Sequence, residues 1–294
     1  MKINLHLVTL CCISLAGCSS NSSTPAGEVG AALTGVFLDS AVEGISYRTE
    51  TLSGVTSQSG EFQYISSESV TFSIGDLVFP TISAAETVTP LDMSTSSNVS
   101  DNVVINTAML LQSLDVDGDP SNGITISNEA VASATAVDLT VNPDELSQNS
   151  EVITLIANSG SSNTEIVSSA NAVRHLQNTL VDSGALESLD RLEYTNLMVG
   201  NTAQWSSGQD IYYQPGGVKF SENSTVMVDY IGSWFLDDSG FLCESIQDES
   251  VFCIADADSF LMTRSPGSSV YNFNGAGFFG TIAISDGDSL GLAQ

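Results

Sequence analysis

Ser69-Val70-Thr71-Phe72-Ser73-Ile74, followed by Leu77-Val78-Phe79, is the stretch that sets the architecture. Val70, Phe72 and Ile74 alternate with small polar residues, and a period of two puts the three apolar side chains on one face of a strand. The texture extends upstream through Gly35-Val36-Phe37, Gly44-Ile45-Ser46-Tyr47, Gly54-Val55-Thr56 and Gly60-Glu61-Phe62-Gln63-Tyr64. Short apolar runs punctuated by Gly and Ser are the pattern of a small β-module, expected over residues 35–94.

Downstream the composition changes abruptly, with no aromatic residue between Phe79 and Tyr194. The spacing turns helical: Val104, Ala108 and Leu111 share a face, with Ile105 and Leu114 beside them. Asn142-Pro143-Asp144-Glu145 reads as a helix opening, with a cap, Pro at the first position and acids near the positive dipole end. Ala172, Val173, Leu176 and Leu180 form another stripe that ends near Gly184. Residues 95–193 are expected to hold four modest helices.

From about Leu197 the aromatics return in strand-like runs. These include Asp210-Ile211-Tyr212-Tyr213, Gly217-Val218-Lys219-Phe220, Thr225-Val226-Met227-Val228-Asp229, Gly232-Ser233-Trp234-Phe235-Leu236 and Gly280-Thr281-Ile282-Ala283-Ile284. Even spacing suggests an antiparallel β-barrel or sandwich over residues 194–294. The expected class is therefore multi-domain α+β.

The N-terminus carries an address. Lys2, an apolar run from Leu5 to Leu15 and small residues before Cys18 describe a secretory signal too short to span a bilayer. Leu15-Ala16-Gly17-Cys18 resembles a bacterial lipoprotein signal. That resemblance implies removal of residues 1–17, a lipid on Cys18, and residues 18–34 as a lipidated tether, since Ser19 to Pro25 are small and polar. Ser19 rather than Asp after the Cys fits that family's outer-membrane sorting. The expected location is the outer membrane, facing the periplasm or the cell surface.

Composition bounds the partners. The chain has 35 acidic and 6 basic side chains and a formal charge of −29, so a polyanion is repelled and nucleic acid is excluded. Anionic headgroups are excluded by the same charge, which leaves acyl chains as the membrane contact. Hydrophobic residues make up 42% of the chain, so it folds and is not an acidic disordered tail. Cys11 and Cys12 leave with the signal and Cys18 takes the lipid. Cys243 and Cys253 remain, in two apolar runs separated by polar residues, the pattern of a disulfide-bridged hairpin in an oxidising compartment. Such a short loop gains roughly 2–3 kcal/mol from its cross-link.

Two further resemblances concern the folded part. Thr56, Gly60 and Phe62 form a Thr-x-x-x-Gly-x-Phe element, and residues 35–94 resemble the prealbumin-like or carboxypeptidase-regulatory-like β-sandwich of bacterial surface proteins, which implies a stalk or binding module. Together with Val88-Thr89-Pro90-Leu91-Asp92-Met93, Asn106 and the run Leu110 to Ile124, residues 35–182 resemble uncharacterised envelope lipoproteins of marine bacteria. The order Trp205, Gly232-x-Trp234, Gly240-Phe241-Leu242-Cys243, Cys253 is similar to small lipocalin-like exported domains, although the lipocalin Gly-x-Trp lies on the first strand and this one is mid-domain.

Several groups could carry chemistry. In Leu114-Asp115-Val116-Asp117-Gly118-Asp119-Pro120-Ser121-Asn122-Gly123, the side chains of Asp115, Asp117, Asp119 and Asn122 could supply oxygens to Ca²⁺, with carbonyls and water completing its 6–8 ligands. The loop is not an EF-hand, since Pro120 and Ile126 stand where Gly and Glu are needed. The alternative is an acidic turn rich in Asp, Gly, Pro and Asn because turns favour them. His175 lacks a Gly-x-Ser-x-Gly element to bring it a nucleophile. It reads as a helix histidine bonded to a carbonyl or carboxylate. Asp237-Asp238, Asp248-Glu249 and Asp256/Asp258 are acid pairs that a polysaccharide hydrolase could use, if two of them flank a cleft. Trp205, Tyr212, Tyr213, Trp234 and Tyr271 either line a ligand surface or fill the C-terminal core. The expected function is a non-enzymatic outer-membrane lipoprotein that binds or scaffolds in the envelope. Its partner would be a glycan, peptidoglycan or an envelope protein, and Ca²⁺ is its candidate cofactor.

Overall fold

The computed structural model describes residues 30–96, 98–223, 230–246, 250–254, 260–275, 278–290 and 292. Residues 1–29, which hold the expected signal peptide, Cys18 and most of the expected tether, lie outside the described residues, as do the run Thr225–Asp229 and the acids Asp248, Glu249, Asp256 and Asp258.

The N-terminal module holds β1 (Leu33–Phe37), β2 (Val42–Glu43), β3 (Ser46–Arg48), β4 (Ser53–Val55), β5 (Glu61–Tyr64), β6 (Ser69–Ile74), β7 (Leu77–Val78), β8 (Ile82–Ser83) and β9 (Thr87–Val88). β1 starts inside the segment assigned to the tether. One sheet runs β5-β1-β9, with β1 and β9 parallel, and a second runs β4-β3-β6-β7 with β8 added to β6. Along β6 the residues alternate half-buried and buried, and Val70, Phe72 and Ile74 all point inward. The two sheets meet like the halves of a sandwich through aromatic rings. Phe37 of β1 stacks on Phe72 at 4.5 Å between centroids, and Phe62 of β5 meets Phe72 edge-on at 5.2 Å. Each such pair adds about 0.5–1.5 kcal/mol beyond the area it buries.

Next come α1 (Asn102–Ser113), β10 (Ile124–Thr125), α2 (Asn128–Ser133), α3 (Pro143–Ser147), α4 (Ser150–Asn158), α5 (Ser169–Asp182), β11 (Glu187–Leu189) and α6 (Arg191–Met198). The four helices expected here are five, α1 to α5. The quoted stripes and helix opening locate α1, α3 and α5; α2, at six residues, spans less than two turns and shows no stripe. Each of the six α-helices among the described residues begins at a residue whose side chain accepts a backbone N–H of the first turn: Asp101, Ser127, Asn142, Asn149, Ser168 and Asp190. α1 is buried on every side from Val104 to Ser113. It lies inside one continuous apolar cluster that runs from Phe37 to Leu186, so the β-module and the helices share a core.

The C-terminal part adds β12 (Asn201–Trp205), β13 (Gln209–Gln214), β14 (Val218–Asn223), β15 (Tyr230–Leu236), β16 (Leu242–Ile246), β17 (Ser250–Cys253), β18 (Leu261–Arg264), β19 (Val270–Gly275) and β20 (Phe278–Asp286). One antiparallel sheet of ten strands runs β11-β18-β19-β20-β12-β13-β14-β15-β16-β17. Among the described residues its outer strands β11 and β17 do not pair, so no closed barrel forms. A second apolar cluster begins at Tyr194 and Met198 of α6 and continues through Ile211, Tyr213, Met262 and Phe273. Cys243 of β16 faces Cys253 of β17 and is bonded to it, as the hairpin reading expects.

α5 joins the two clusters through polar contacts. Gln177 Nε2 donates to Thr263 Oγ1 at 3.0 Å, Arg174 donates to Asn274 Oδ1 at 2.7 Å, and Asn274 Nδ2 donates to the Ala170 carbonyl at 3.0 Å. Gln177 and Thr263 are fully buried, so each bond spares a desolvated polar group.

Candidate functional site

The short parallel pair β2–β10 assembles the region of interest. Ile124 and Thr125 pair with Val42 and Glu43, and Ile124 N–H donates to the Ala41 carbonyl at 2.9 Å. This pairing draws the acidic loop after α1 towards the β1–β2 turn. Gly118 sits at φ +74°, and a Cβ there would meet Ser162 Oγ at 2.7 Å and Asn163 Oδ1 at 3.2 Å. The loop packs on that segment through Ser161 Oγ, which donates to the Asp115 carbonyl, and Ser162 N–H, which donates to the Val116 carbonyl.

Within the loop most carboxylate oxygens have donors. Asp117 takes the Asp119 N–H and the Asn122 amide, and these bonds hold its carboxyl below the usual range. Asp119 Oδ1 takes the Ser121 N–H and hydroxyl. Asp115 is different. Its Oδ1 accepts the Thr125 N–H at 2.8 Å, but its Oδ2 is buried without a hydrogen-bond partner. Burial, reinforced by the neighbouring Asp117 carboxylate, raises its pKa to about 6. A neighbouring like charge disfavours the ionised form, which is the direction of this shift. Among the described residues no three His, Cys, Asp or Glu side chains converge as a metal-ligand set, so Ca²⁺ here would draw on carbonyls and water.

A second cluster joins the β1–β2 turn to the helices. Asp39 is fully buried, and burial pushes its pKa up to about 7 against the opposing pull of the Gln112 bond. Gln112 Nε2, from the last turn of α1, donates to Asp39 Oδ2 at 3.0 Å and to the Ala172 carbonyl of α5 at 3.1 Å. Asp39 Oδ1 has no partner. Beside it Ser40 adopts φ +58°, a left-handed conformation that costs a non-glycine residue roughly 1–2 kcal/mol. Ser40 Oγ lies 3.1 Å from Nε2 of His175, which stands one turn beyond Ala172. Burial lowers the His175 pKa, while a bond to the Asp39 backbone carbonyl and the charge of Asp119 pull the other way.

His175 was expected to be bonded to a carbonyl or carboxylate and to have no nucleophile beside it. The hydrogen-bond partner of its Nε2 is the Ser40 hydroxyl, so a serine stands beside the ring. Sequence reasoning passed over Asp39, Ser40 and Gln112. Asp39-Ser40 shows only as a polar break between apolar residues, and 135 positions separate Ser40 from His175.

The other candidates are placed as follows. Tyr213, Trp234 and Tyr271 are buried members of the C-terminal core, and Trp205 packs edge-on against Phe273 at 5.5 Å. Tyr212 is half-buried on β13. Asp237 Oδ1 accepts the N–H groups of Ser239 and Phe241, so that carboxylate closes the β15–β16 turn. A cavity of about 540 Å³ is lined by Glu187, Glu193, Asn196, Leu197, Arg264 and Tyr271. There the Arg264 guanidinium is held by Glu187 at 2.8 Å and lies over the Tyr271 ring. Comparison with known proteins adds no relative: no protein family, curated protein or solved structure matches this chain.

Proposed function

We propose that this chain is an exported envelope protein, held to the outer membrane by a lipid on Cys18, that works by binding or scaffolding. The Cys243–Cys253 disulfide carries the reading, because such a bond persists in oxidising compartments and is rare in the cytosol. The signal-like N-terminus, the polar stretch from Ser19 to Pro25 and the formal charge of −29 support the same address. The sandwich-like N-terminal sheets suit a binding module, with a glycan, peptidoglycan or an envelope protein as its partner. A lipocalin-like C-terminal domain remains part of the proposal. Replacing Cys18 by Ala is expected to move the protein from the membrane fraction to the soluble fraction of fractionated cells; retention in the membrane contradicts the anchor.

Ca²⁺ is the proposed stabiliser of the acidic loop, because the buried Asp115 Oδ2 has no hydrogen-bond partner and the Asp117 charge acts on the same carboxyl. A ligand that binds only the folded chain adds about 2.7 kcal/mol at a hundred times its Kd. Millimolar Ca²⁺ is therefore expected to raise the melting temperature of the mature protein, and Asp117→Ala to abolish the rise. If the unmutated protein shows no shift, the loop is an acidic turn and binds no Ca²⁺.

A further inference from the structure

We propose that Ser40 and His175 form a nucleophile–base pair for acyl transfer from neutral esters. The inference goes beyond a binding role and depends on neither the lipid anchor nor Ca²⁺. A nucleophilic site of this kind needs a hydroxyl within hydrogen-bond reach of a base, and a third group that orients the base. Ser40 Oγ and His175 Nε2 are 3.1 Å apart, and the base is positioned by α5, which Gln112 ties to Asp39.

The pair is held from both sides. Gln112 bridges Asp39, the residue before Ser40, to Ala172, one helical turn before His175. The turn and α5 are thus fixed to the same buried amide, which preorganises the two reacting groups. The β1–β2 turn also presents Ser40 in a left-handed conformation that glycine would adopt without strain. This position instead carries a hydroxyl, and backbone outliers of this kind cluster at functional sites. Ser40 and His175 are both half-buried, so the pair is reachable from solvent while its surroundings are partly desolvated.

The chemistry balances without a co-reactant other than water. In the tautomer protonated at Nδ1, His175 Nε2 takes the Ser40 hydroxyl proton as Oγ bonds the ester carbonyl carbon. The ester C–O bond then breaks and the leaving alkoxide takes that proton from His175. Water attacks the acyl–Ser40 ester, passes a proton to His175, and the departing Ser40 oxygen recovers it. The sum is ester plus water to acid plus alcohol. The net charge of −29 disfavours anionic substrates and directs the proposal to neutral esters.

The test uses the mature chain, an alkyl fluorophosphonate probe and p-nitrophenyl acetate. The probe is expected to label Ser40, located by peptide mass spectrometry. Ser40→Ala and His175→Gln are each expected to lower p-nitrophenyl acetate hydrolysis by about 100-fold or more. Ser40→Gly relaxes the turn and removes only the hydroxyl, so it should fold with an undiminished melting temperature and still lose the activity. The proposal is overturned if the folded unmutated protein leaves Ser40 unlabelled. It is equally overturned if folded Ser40→Gly hydrolyses the ester as fast as the unmutated chain, in which case Ser40 is a turn residue bonded to a structural histidine.

Discussion

Asp39→Asn is expected to remove about 4 kcal/mol of pH dependence from the stability of this protein. The Asp39 carboxyl has its pKa raised from 3.8 to about 7 in the folded chain, because it is fully buried and the bond from Gln112 offsets only part of that effect. Between these two values the folded chain keeps a proton that the unfolded chain has released. Stability from this group is therefore complete below pH 3.8, declines as pH rises towards 7, and is lost above it. Asparagine cannot ionise, and its side-chain oxygen can still accept from Gln112. The new amide N–H occupies the place of an oxygen that has no partner, at a cost of about 1–3 kcal/mol independent of pH. The difference in slope is therefore the readout, not stability at one pH. Urea unfolding from pH 4 to pH 8 should show the variant less stable by that fixed cost at the acid end, and the unmutated protein losing stability relative to it as pH rises towards 7. Parallel curves would mean that Asp39 is ionised throughout and is paired by something other than Gln112.

Phe72→Ala is expected to destabilise the protein by about 3–5 kcal/mol, a large share of the 5–15 kcal/mol typical of a folded chain. Phe72 is fully buried and touches Phe37 and Phe62 of the opposing sheet, so its removal opens a cavity between the two sheets. α1 and the sandwich share one apolar cluster, and the loss should therefore be felt in the helices as well as the strands. Hydrogen exchange in α1 is the second readout. Phe235, 47% exposed on β15, is the control, and Phe235→Ala should change stability by less than about 0.5 kcal/mol. Equal effects at the two positions would contradict the sandwich.

Local patterns in the sequence carried much of this architecture. The alternation at Val70, Phe72 and Ile74 specified both a strand and the face it buries, because period and burial are the same fact in a half-buried strand. The stripe Ala172, Val173, Leu176 and Leu180 likewise specified the buried face of α5. Cys243 and Cys253 were legible because a single hairpin brings them together. What escaped was long-range. Nothing local says that α1 enters the same core as β6, since a helix buried on every side has no amphipathic stripe to read. The pairing of β10 with β2 rests on two-residue strands, too short for any periodicity, yet it draws the acidic loop towards Ser40. Asp39 carries no local signal, and the contact that holds it runs through Gln112 and Ala172, which lie far along the chain. The aromatics Tyr213, Trp234 and Tyr271 could not be divided between core and ligand surface by composition, because both uses call for the same side chains.

The central claim is that this folded body is exported and tethered by its first mature residue. The most direct measurement is the intact mass of the protein extracted from the membrane fraction of cells that make the full chain. The expected result is a chain that begins at Cys18 and carries added acyl mass on its N-terminal peptide. A chain that retains residues 1–17, or one that is cut there without acyl mass, would contradict the claim.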